Sequence, residues 1–286
     1  MMMQRNYYCL VAGLPDIMIE DAKLVVTQQR FRCELKNELH PDDDALLNQL
    51  FLPIDNKNLL NLLLKNNQPF DPDGQFTQDE LEEEIRDPQY LPAYLIRFIE
   101  AYKNDQPVDQ NLSWENQLTA LYYQAMAALP NQFLRDWFEF DLNLRNCLVG
   151  LTCRKFKLPA ESELIGDNPV AEAIRRSNAA DFGLGKDFPF IDTIIHWFEN
   201  EELIEREKGL DILRWDYLDQ QVFFHYFSIE RVLSFVIKLG ILERWLKLDH
   251  ELGMKLFNRI IKDMESSFVF PEAFSINGGK KHGIER

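Results

Sequence analysis

The chain has 286 residues, of which 46% are hydrophobic, and it carries a formal net charge of −16. This composition supports a substantial buried core and excludes a mainly disordered state. The acidity argues against nucleic-acid binding, which depends on Lys and Arg that neutralise phosphates, and it disfavours lying flat on an anionic lipid surface.

Helical periodicity dominates the chain. We predict α-helices near residues 16–38, 42–51, 56–66, 77–86, 91–103, 112–129, 131–155, 168–178, 188–206, 210–247 with a break, and 249–265. The only predicted strand is a short apolar run at Tyr7–Val11. The breaks between helices are short, so consecutive helices should pack as antiparallel neighbours. The expected fold class is therefore all-α, a multi-helix bundle with one short N-terminal strand.

Two loop-like segments interrupt the helices. Residues 66–76 include a stretch rich in Asn, Pro and Asp, and residues 179–189 contain two glycines. We expect a single helical domain over residues 1–274, with a subdivision near each of these segments. Residues 275–286 are rich in Gly and Lys, and we expect a flexible C-terminal tail there.

The segment Asp71–Glu80 is similar to a calcium-binding EF-hand loop at several positions. However, Pro69 occupies the first ligand position, where such a loop normally has Asp. The same residues also fit a turn at Asp-Pro-Asp-Gly followed by a helix whose first turn is closed by Thr77 and Glu80 in a capping box. We favour the turn and the capped helix, and we predict no calcium binding.

Other chemical motifs are incomplete. The Asp-x-Asp-Gly of the same segment occurs in phosphatases, but there it follows an apolar strand, which residues 66–69 do not form. Residues 183–186 lack the remaining glycines and the preceding strand of a phosphate loop. The histidines are His40, His196, His225, His250 and His282, without zinc-ligand spacing. We therefore predict that the protein is not an enzyme and has no catalytic, cofactor-binding or metal-ligating residues.

The cysteines are Cys9, Cys33, Cys147 and Cys153. They form no C-x-x-C pair, and residues 1–22 lack an export signal, so we expect free thiols in a reducing cytoplasm. The most apolar segment, residues 221–246, is interrupted by charges and cannot span a bilayer. Within it, we expect His225 to be packed and hydrogen-bonded among the four aromatic residues of 223–227.

Residues 133–158 have the pattern of a central helix. One apolar stripe comprises Phe133, Trp137, Phe140, Leu144, Leu148 and Leu151. A second apolar face comprises Phe138, Leu142, Val149 and Cys153. A helix that is apolar on two sides lies at the centre of a fold. A narrow polar line remains, at Arg135, Glu139, Asn143 and Asn146, and Asp141 precedes Arg145 at the spacing of a side-chain pair.

The order of these polar residues resembles a helix motif of the C/d-type central-stalk subunits of rotary V/A-type ATPases. The matching positions are Asp141, Asn143-Leu144 and Arg154-Lys155. The segment Asn6–Asp16 resembles the start of an uncharacterised bacterial family usually encoded among V-type ATPase genes, and that resemblance runs over most of the chain. Gly13-Leu14-Pro15 departs from the C/d-type proteins, which continue there as an unbroken helix.

The resemblance implies a funnel-like, non-catalytic central-stalk subunit that links the ATPase shaft to the membrane proteolipid ring in hydrogen ion transport. It implies a cytoplasmic location, peripheral to the inner membrane through protein contacts. The matched residues, Asp141, Asn143, Arg145, Arg154 and Lys155, are expected to hold or orient helices. The alternative is a stand-alone helical binding protein with a ligand or partner site lined by the C-terminal aromatic residues.

Overall fold

A computed structural model describes residues 5–21 and 23–267, with side chains as far as residue 249. Within these residues all regular structure is helical, which confirms the predicted all-α class. The helices are α1 (Tyr8–Ala12), α2 (Gln28–Leu35), α3 (Pro41–Gln49), α4 (Leu52–Leu64), α5 (Gln78–Arg86), α6 (Ala93–Lys103), α7 (Trp114–Ala127), α8 (Gln132–Phe156), α9 (Pro169–Arg176), α10 (Ile191–Phe198), α11 (Leu203–Gln221) and α12 (Ile229–Ser267). The tail expected at residues 275–286 lies outside the described part of the chain.

The predicted strand at Tyr7–Val11 is wrong, because this run forms helix α1. The Val11 N–H donates to the Tyr7 carbonyl, and the Gly13 N–H donates to the Cys9 carbonyl. A lone strand would leave its backbone groups without a neighbouring strand to pair with, whereas a helical turn satisfies part of them locally.

Other helix boundaries also differ from the predicted ones, both before residue 40 and after residue 220. The helix predicted for residues 16–38 is confined to α2, which begins after Thr27, whose side chain accepts a hydrogen bond of 3.2 Å from the Arg30 N–H. Toward the C-terminus, residues 222–228 separate α11 from α12, and α12 continues without interruption through the helix predicted at 249–265. Among the described residues, no helix has the length and apolarity needed to cross a membrane.

Helix α8 is the central helix, as its sequence predicts, and it packs against α7, α9, α10 and α11. Most of its predicted stripe is buried, and the Phe140 ring stacks on Tyr217 of α11 at 3.9 Å between ring centres. Leu148 is an exception, because it is only half-buried. The second predicted face is also partly exposed, at Leu142 and Val149.

The buried apolar residues form one cluster that extends from α2 to α12. Helices α2 and α12 meet where Phe31 packs edge-on against Phe235, with ring centres 5.0 Å apart. Helices α10 and α11 approach closely at Gly209, where a Cβ atom would lie 2.0 Å from the Trp197 ring. Only glycine allows this approach, since no side chain can share that volume with the indole.

Candidate functional site

Two asparagines of α8 hold the connection to α9. Asn146 is fully buried, its Nδ2 donates to the Ile165 carbonyl at 2.8 Å, and its Oδ1 accepts from the Ile165 N–H at 3.2 Å. The Oδ1 of Asn143 accepts a bond of 2.7 Å from Asn168, the residue that caps the start of α9. Both amides therefore position a neighbouring segment, as expected for Asn143 from the sequence.

The C-terminal end of α8 holds the segment between α9 and α10 in a similar way. The Arg154 guanidinium donates to the carbonyls of Ser177 and Ala179, each at 2.5 Å, and lies 3.7 Å from the centre of the Phe182 ring. The ammonium group of Lys155 lies 5.6 Å from the centre of an aromatic ring at the end of α10. Arg154 therefore fixes the segment between α9 and α10, whereas Lys155 lies near the end of α10.

The expected pairing of Asp141 with Arg145 is replaced by contacts to other helices. Asp141 accepts a hydrogen bond of 2.7 Å from the Tyr123 hydroxyl and pairs with Arg214 at 3.4 Å. Arg145 donates instead to the Oδ1 of Asn116 on α7, at 2.9 Å. A neighbour at spacing four is available on any helix, but in a packed core a partner on another helix can displace it.

Arg214 extends this contact into a charge network around the buried carboxylate of Asp211. Its guanidinium also pairs with Asp211 at 2.9 Å. Asp211 is buried, and it accepts further hydrogen bonds from Arg244 and from the Trp245 indole, the latter at 2.8 Å. Burial opposes the charged form of Arg214, but the neighbouring carboxylates outweigh it and raise the pKa of Arg214. This network was not predicted from the sequence, because its members lie on α8, α11 and α12.

The network lines one side of a cleft of about 670 Å³ that is bounded by α4, α7, α8, α11 and α12. The charged residues of its lining are Lys57, Arg214 and Arg244, and Glu115, Asp141 and Asp211. The lining therefore has as many positively charged side chains as negatively charged ones. The volume is within the range of small-molecule sites, roughly 300 to 1,000 Å³.

Tyr122 on α7 is a distinctive residue of this cleft. Its hydroxyl is buried and has no hydrogen-bond partner among the described residues. Burial raises the pKa of Tyr122 well above its usual value, so the hydroxyl keeps its proton at neutral pH and remains a donor. No pattern in the sequence marks this group, since a tyrosine on an apolar helix face is ordinarily a core residue.

The Asp71–Glu80 segment has the turn and capped helix that the sequence favoured. The Thr77 Oγ1 accepts from the Glu80 N–H at 3.3 Å, and the Glu80 carboxylate accepts from the Thr77 N–H at 2.7 Å. This is the predicted capping box at the start of α5. Within the described part of the chain, no group of three or more His, Cys, Asp or Glu residues is arranged to hold a metal ion.

A buried carboxylate that the sequence did not predict lies under this turn. Asp55 of α4 is fully buried, and its Oδ1 accepts from the backbone N–H groups of Gln75 and Phe76 at 2.9 and 3.2 Å. Burial raises the pKa of Asp55 to about 6, although these hydrogen bonds oppose the shift. In the sequence, Asp55 is simply an acidic residue directly before the helix predicted at 56–66, where such residues are common.

The aromatic side chains of residues 223–227 lie on the surface. We define the aromatic patch as Tyr8, Phe223, Phe224, Tyr226 and Phe227, all of which are exposed. Phe224 is 79% exposed, and the ring centres of Tyr8 and Phe227 lie 4.8 Å apart. The Tyr7 N–H donates to the Phe227 carbonyl at 2.6 Å. This hydrogen bond joins α1 to residues 222–228, the connection between α11 and α12.

The expected environment of His225 is therefore corrected in part. The ring Nδ1 lies 3.3 Å from the Ser228 Oγ, so the residue is hydrogen-bonded as predicted. It is not packed in the core, because the aromatic side chains around it project into solvent. An aromatic-rich sequence alone cannot distinguish a core segment from an exposed patch, since both have the same composition.

Of the comparisons with known proteins, the one with protein families gives a match. The family model described as "Protein of unknown function (DUF2764)" matches residues 3–268, which is nearly the whole chain. No curated protein and no solved structure matches the chain.

Proposed function

We propose that this chain, which belongs to the DUF2764 family, is a non-catalytic central-stalk subunit of a rotary V/A-type ATPase, similar to the C/d-type proteins. In this role it couples the shaft to the membrane proteolipid ring during hydrogen ion transport. It is held near the membrane by protein contacts. The observation that carries the proposal is the aromatic patch, and the choice of partner comes from the sequence resemblance.

The aromatic patch has the composition of a protein interface. Soluble monomers rarely expose large contiguous apolar patches, and aromatic residues are enriched among those that contribute most to binding. The ends of the connection that carries the patch are anchored, since Val222 and Ser228 are buried. A short, anchored segment presents its aromatic side chains at a small entropic cost of ordering.

The polar residues of α8 support a mechanical role. Asn143, Arg145 and Arg154 each hydrogen-bond a segment outside α8. Asp141 does the same through Tyr123. A protein that transmits torque needs a body that resists deformation, and side chains that tie the central helix to its neighbours provide such resistance.

The alternative function is a stand-alone helical binding protein with a site among the C-terminal aromatic residues. In the structure these residues form an exposed surface, which suits a protein partner better than an enclosed ligand. The alternative differs from the proposed function in its partner, because it requires no ATPase component.

Affinity purification tests the proposal directly. The full chain, tagged and expressed in its native host, is purified from detergent-solubilised membranes, and the captured proteins are identified by mass spectrometry. We expect shaft and proteolipid-ring subunits with the wild-type chain and their loss with Phe223→Ser/Phe224→Ser. Tyr90→Ser is the matched control, because Tyr90 is 83% exposed but lies outside the aromatic patch. An intact ATPase that consistently lacks the chain would refute the proposal.

A further inference from the structure

We infer that the methionines at residues 1–3 pack onto the aromatic patch and form an intramolecular cover that a binding partner must displace. The cover is a property of the isolated chain, whereas its effect on a partner rests on the proposed function of the patch. Residues 1–4 have the sequence Met-Met-Met-Gln and lie outside the described part of the chain. The patch and the residues that lead to it carry the inference.

The described part of the chain begins at the border of the patch. The Arg5 guanidinium pairs with Asp42 at 2.8 Å, which anchors the chain two residues before Tyr7. The Tyr7 N–H donates to the Phe227 carbonyl at 2.6 Å, and the next residue, Tyr8, belongs to the patch. The residues that directly precede Arg5 therefore start beside the patch.

The methionine segment, residues 1–3, is long enough to reach the rings of the patch. An extended chain spans about 3.5 Å per residue, so the Cα atom of Met3 lies at most about 7 Å from that of Arg5, and that of Met1 at most about 14 Å. The same rule places the Cα atom of Tyr8 within about 11 Å of that of Arg5. Few residues have to be ordered for contact, so the entropic cost of the cover is small.

The chemistry of the methionine segment suits the patch. Methionine side chains are unbranched and adapt to irregular apolar surfaces, and their sulfur atoms make favourable contacts with aromatic rings. The patch offers two ring pairs, since the centres of Tyr8 and Phe227 lie 4.8 Å apart and those of Phe223 and Phe224 lie 4.9 Å apart. The side chains of residues 1–4 are uncharged, so the cover buries no side-chain charge.

A partner can displace this cover, because the cover is weak. Individual contacts between sulfur and an aromatic ring contribute little, and the segment supplies only three apolar side chains. A partner that binds only the open patch has its apparent affinity reduced by the fraction of chains that are open. The methionine segment therefore selects for partners that contact the rings more extensively than it does.

NMR of the full chain, tagged after residue 286 and labelled at the methionine methyl groups, tests for the cover. Substitution of each methionine in turn assigns the signals. Because aromatic ring currents shift the signal of a nearby methyl group, we expect at least one signal of residues 1–3 to differ from that of a solvent-exposed methionine. This shift should disappear in Phe223→Ser/Phe224→Ser. It should persist in Tyr90→Ser, since Tyr90 is 83% exposed but lies outside the patch.

Dye binding measures how far the methionines occlude the patch. Nile red, a neutral aromatic dye, is titrated into the wild-type chain and into Met2→Gln/Met3→Gln. The substitution should tighten dye binding roughly 2- to 5-fold, because it uncovers the rings. It should have no effect in a chain that also carries Phe223→Ser/Phe224→Ser. Met18→Gln is the matched control, since Met18 is 64% exposed but lies outside the patch.

Three outcomes would overturn the inference. The first is that all methyl signals of residues 1–3 have the position of a solvent-exposed methionine, and the second is a dye affinity that Met2→Gln/Met3→Gln leaves unchanged or weakens. The third is a ring-current shift that depends on protein concentration, because a second copy would then cover the patch. Both experiments use the isolated chain, so their failure would leave the proposed ATPase role standing, and failure of that role in affinity purification would leave the cover standing.

Discussion

Helix α8 and the connection at residues 222–228 place their side chains in opposite environments. Helix α8 buries amides in the core, each paired with a neighbouring segment, whereas the connection exposes large aromatic rings to solvent. The burial of Asn143 and Asn146 costs little free energy, because hydrogen bonds to protein groups replace those that the amides would make with water. The exposed rings have no such compensation within the described chain. The contrast indicates that α8 serves the internal architecture and that the connection serves a partner outside it.

The largest expected effects concern the buried apolar residues of α8. Leu144→Ala should lower the free energy of unfolding by about 2–5 kcal/mol, because Leu144 is fully buried and its loss leaves a cavity. Leu148→Ala is the matched control within the same stripe and should cost less, since Leu148 is half-buried. Urea denaturation of both variants measures the difference. Equal losses would contradict the assignment of the buried face.

Asp55 extends the comparison to a buried charge. Its pKa is raised from 3.8 to about 6, so the folded state holds a proton that the unfolded chain has released between these values. The free energy of unfolding therefore falls as pH rises through this window, by up to about 3 kcal/mol. The side chain of Asp55→Asn stays uncharged, so the free energy of unfolding of this variant should not show this fall with pH. Urea titrations of both proteins from about pH 4 to about pH 7 provide the measurement, and parallel curves would count against the buried charge.

The buried amides of α8 give the next effect in size. Asn146→Ala should destabilise the protein by about 1–3 kcal/mol, because the N–H and carbonyl of Ile165 lose their partner. A similar loss is expected for Asn143→Ala. Asn111→Ala is the control, since Asn111 is exposed, and it should change stability by less than about 0.5 kcal/mol. Denaturant midpoints for Asn146→Ala and Asn111→Ala that coincide would show that the amide is not a structural link.

The smallest effect on stability is expected in the aromatic patch. Phe224→Ser should change the free energy of unfolding by less than about 0.5 kcal/mol, because the ring makes little contact with the core. Phe138→Ala on α8 removes a buried ring and should cost about 3–5 kcal/mol. Thermal or urea unfolding separates the two. A large loss for Phe224→Ser would mean that the patch is part of the core in solution.

The sequence predicted features that depend on neighbours within one or two turns. The spacing of apolar residues gave the position and central role of α8, and Thr77 and Glu80 gave the start of α5. The strand predicted at Tyr7–Val11 was wrong, because in so short a run the spacing of apolar residues does not distinguish a strand from a helix. The identity of the family's partners stays a prediction from the resemblance.

The all-α class and the approximate bounds of α3 to α9 were thus determined by the sequence itself, since turns, caps and apolar periods are local properties of the chain. The helices predicted at 188–206 and 210–247 were wrong in their bounds, because α10 ends at Phe198 and α11 begins at Leu203. The tertiary structure alone decided which polar groups pair, as Asp141 and Arg214 do across 73 residues. It also decided that Asp55 is buried, that the Tyr122 hydroxyl has no hydrogen-bond partner among the described residues, and that Phe224 is exposed. These properties depend on contacts between residues far apart in the chain, and no local pattern encodes them.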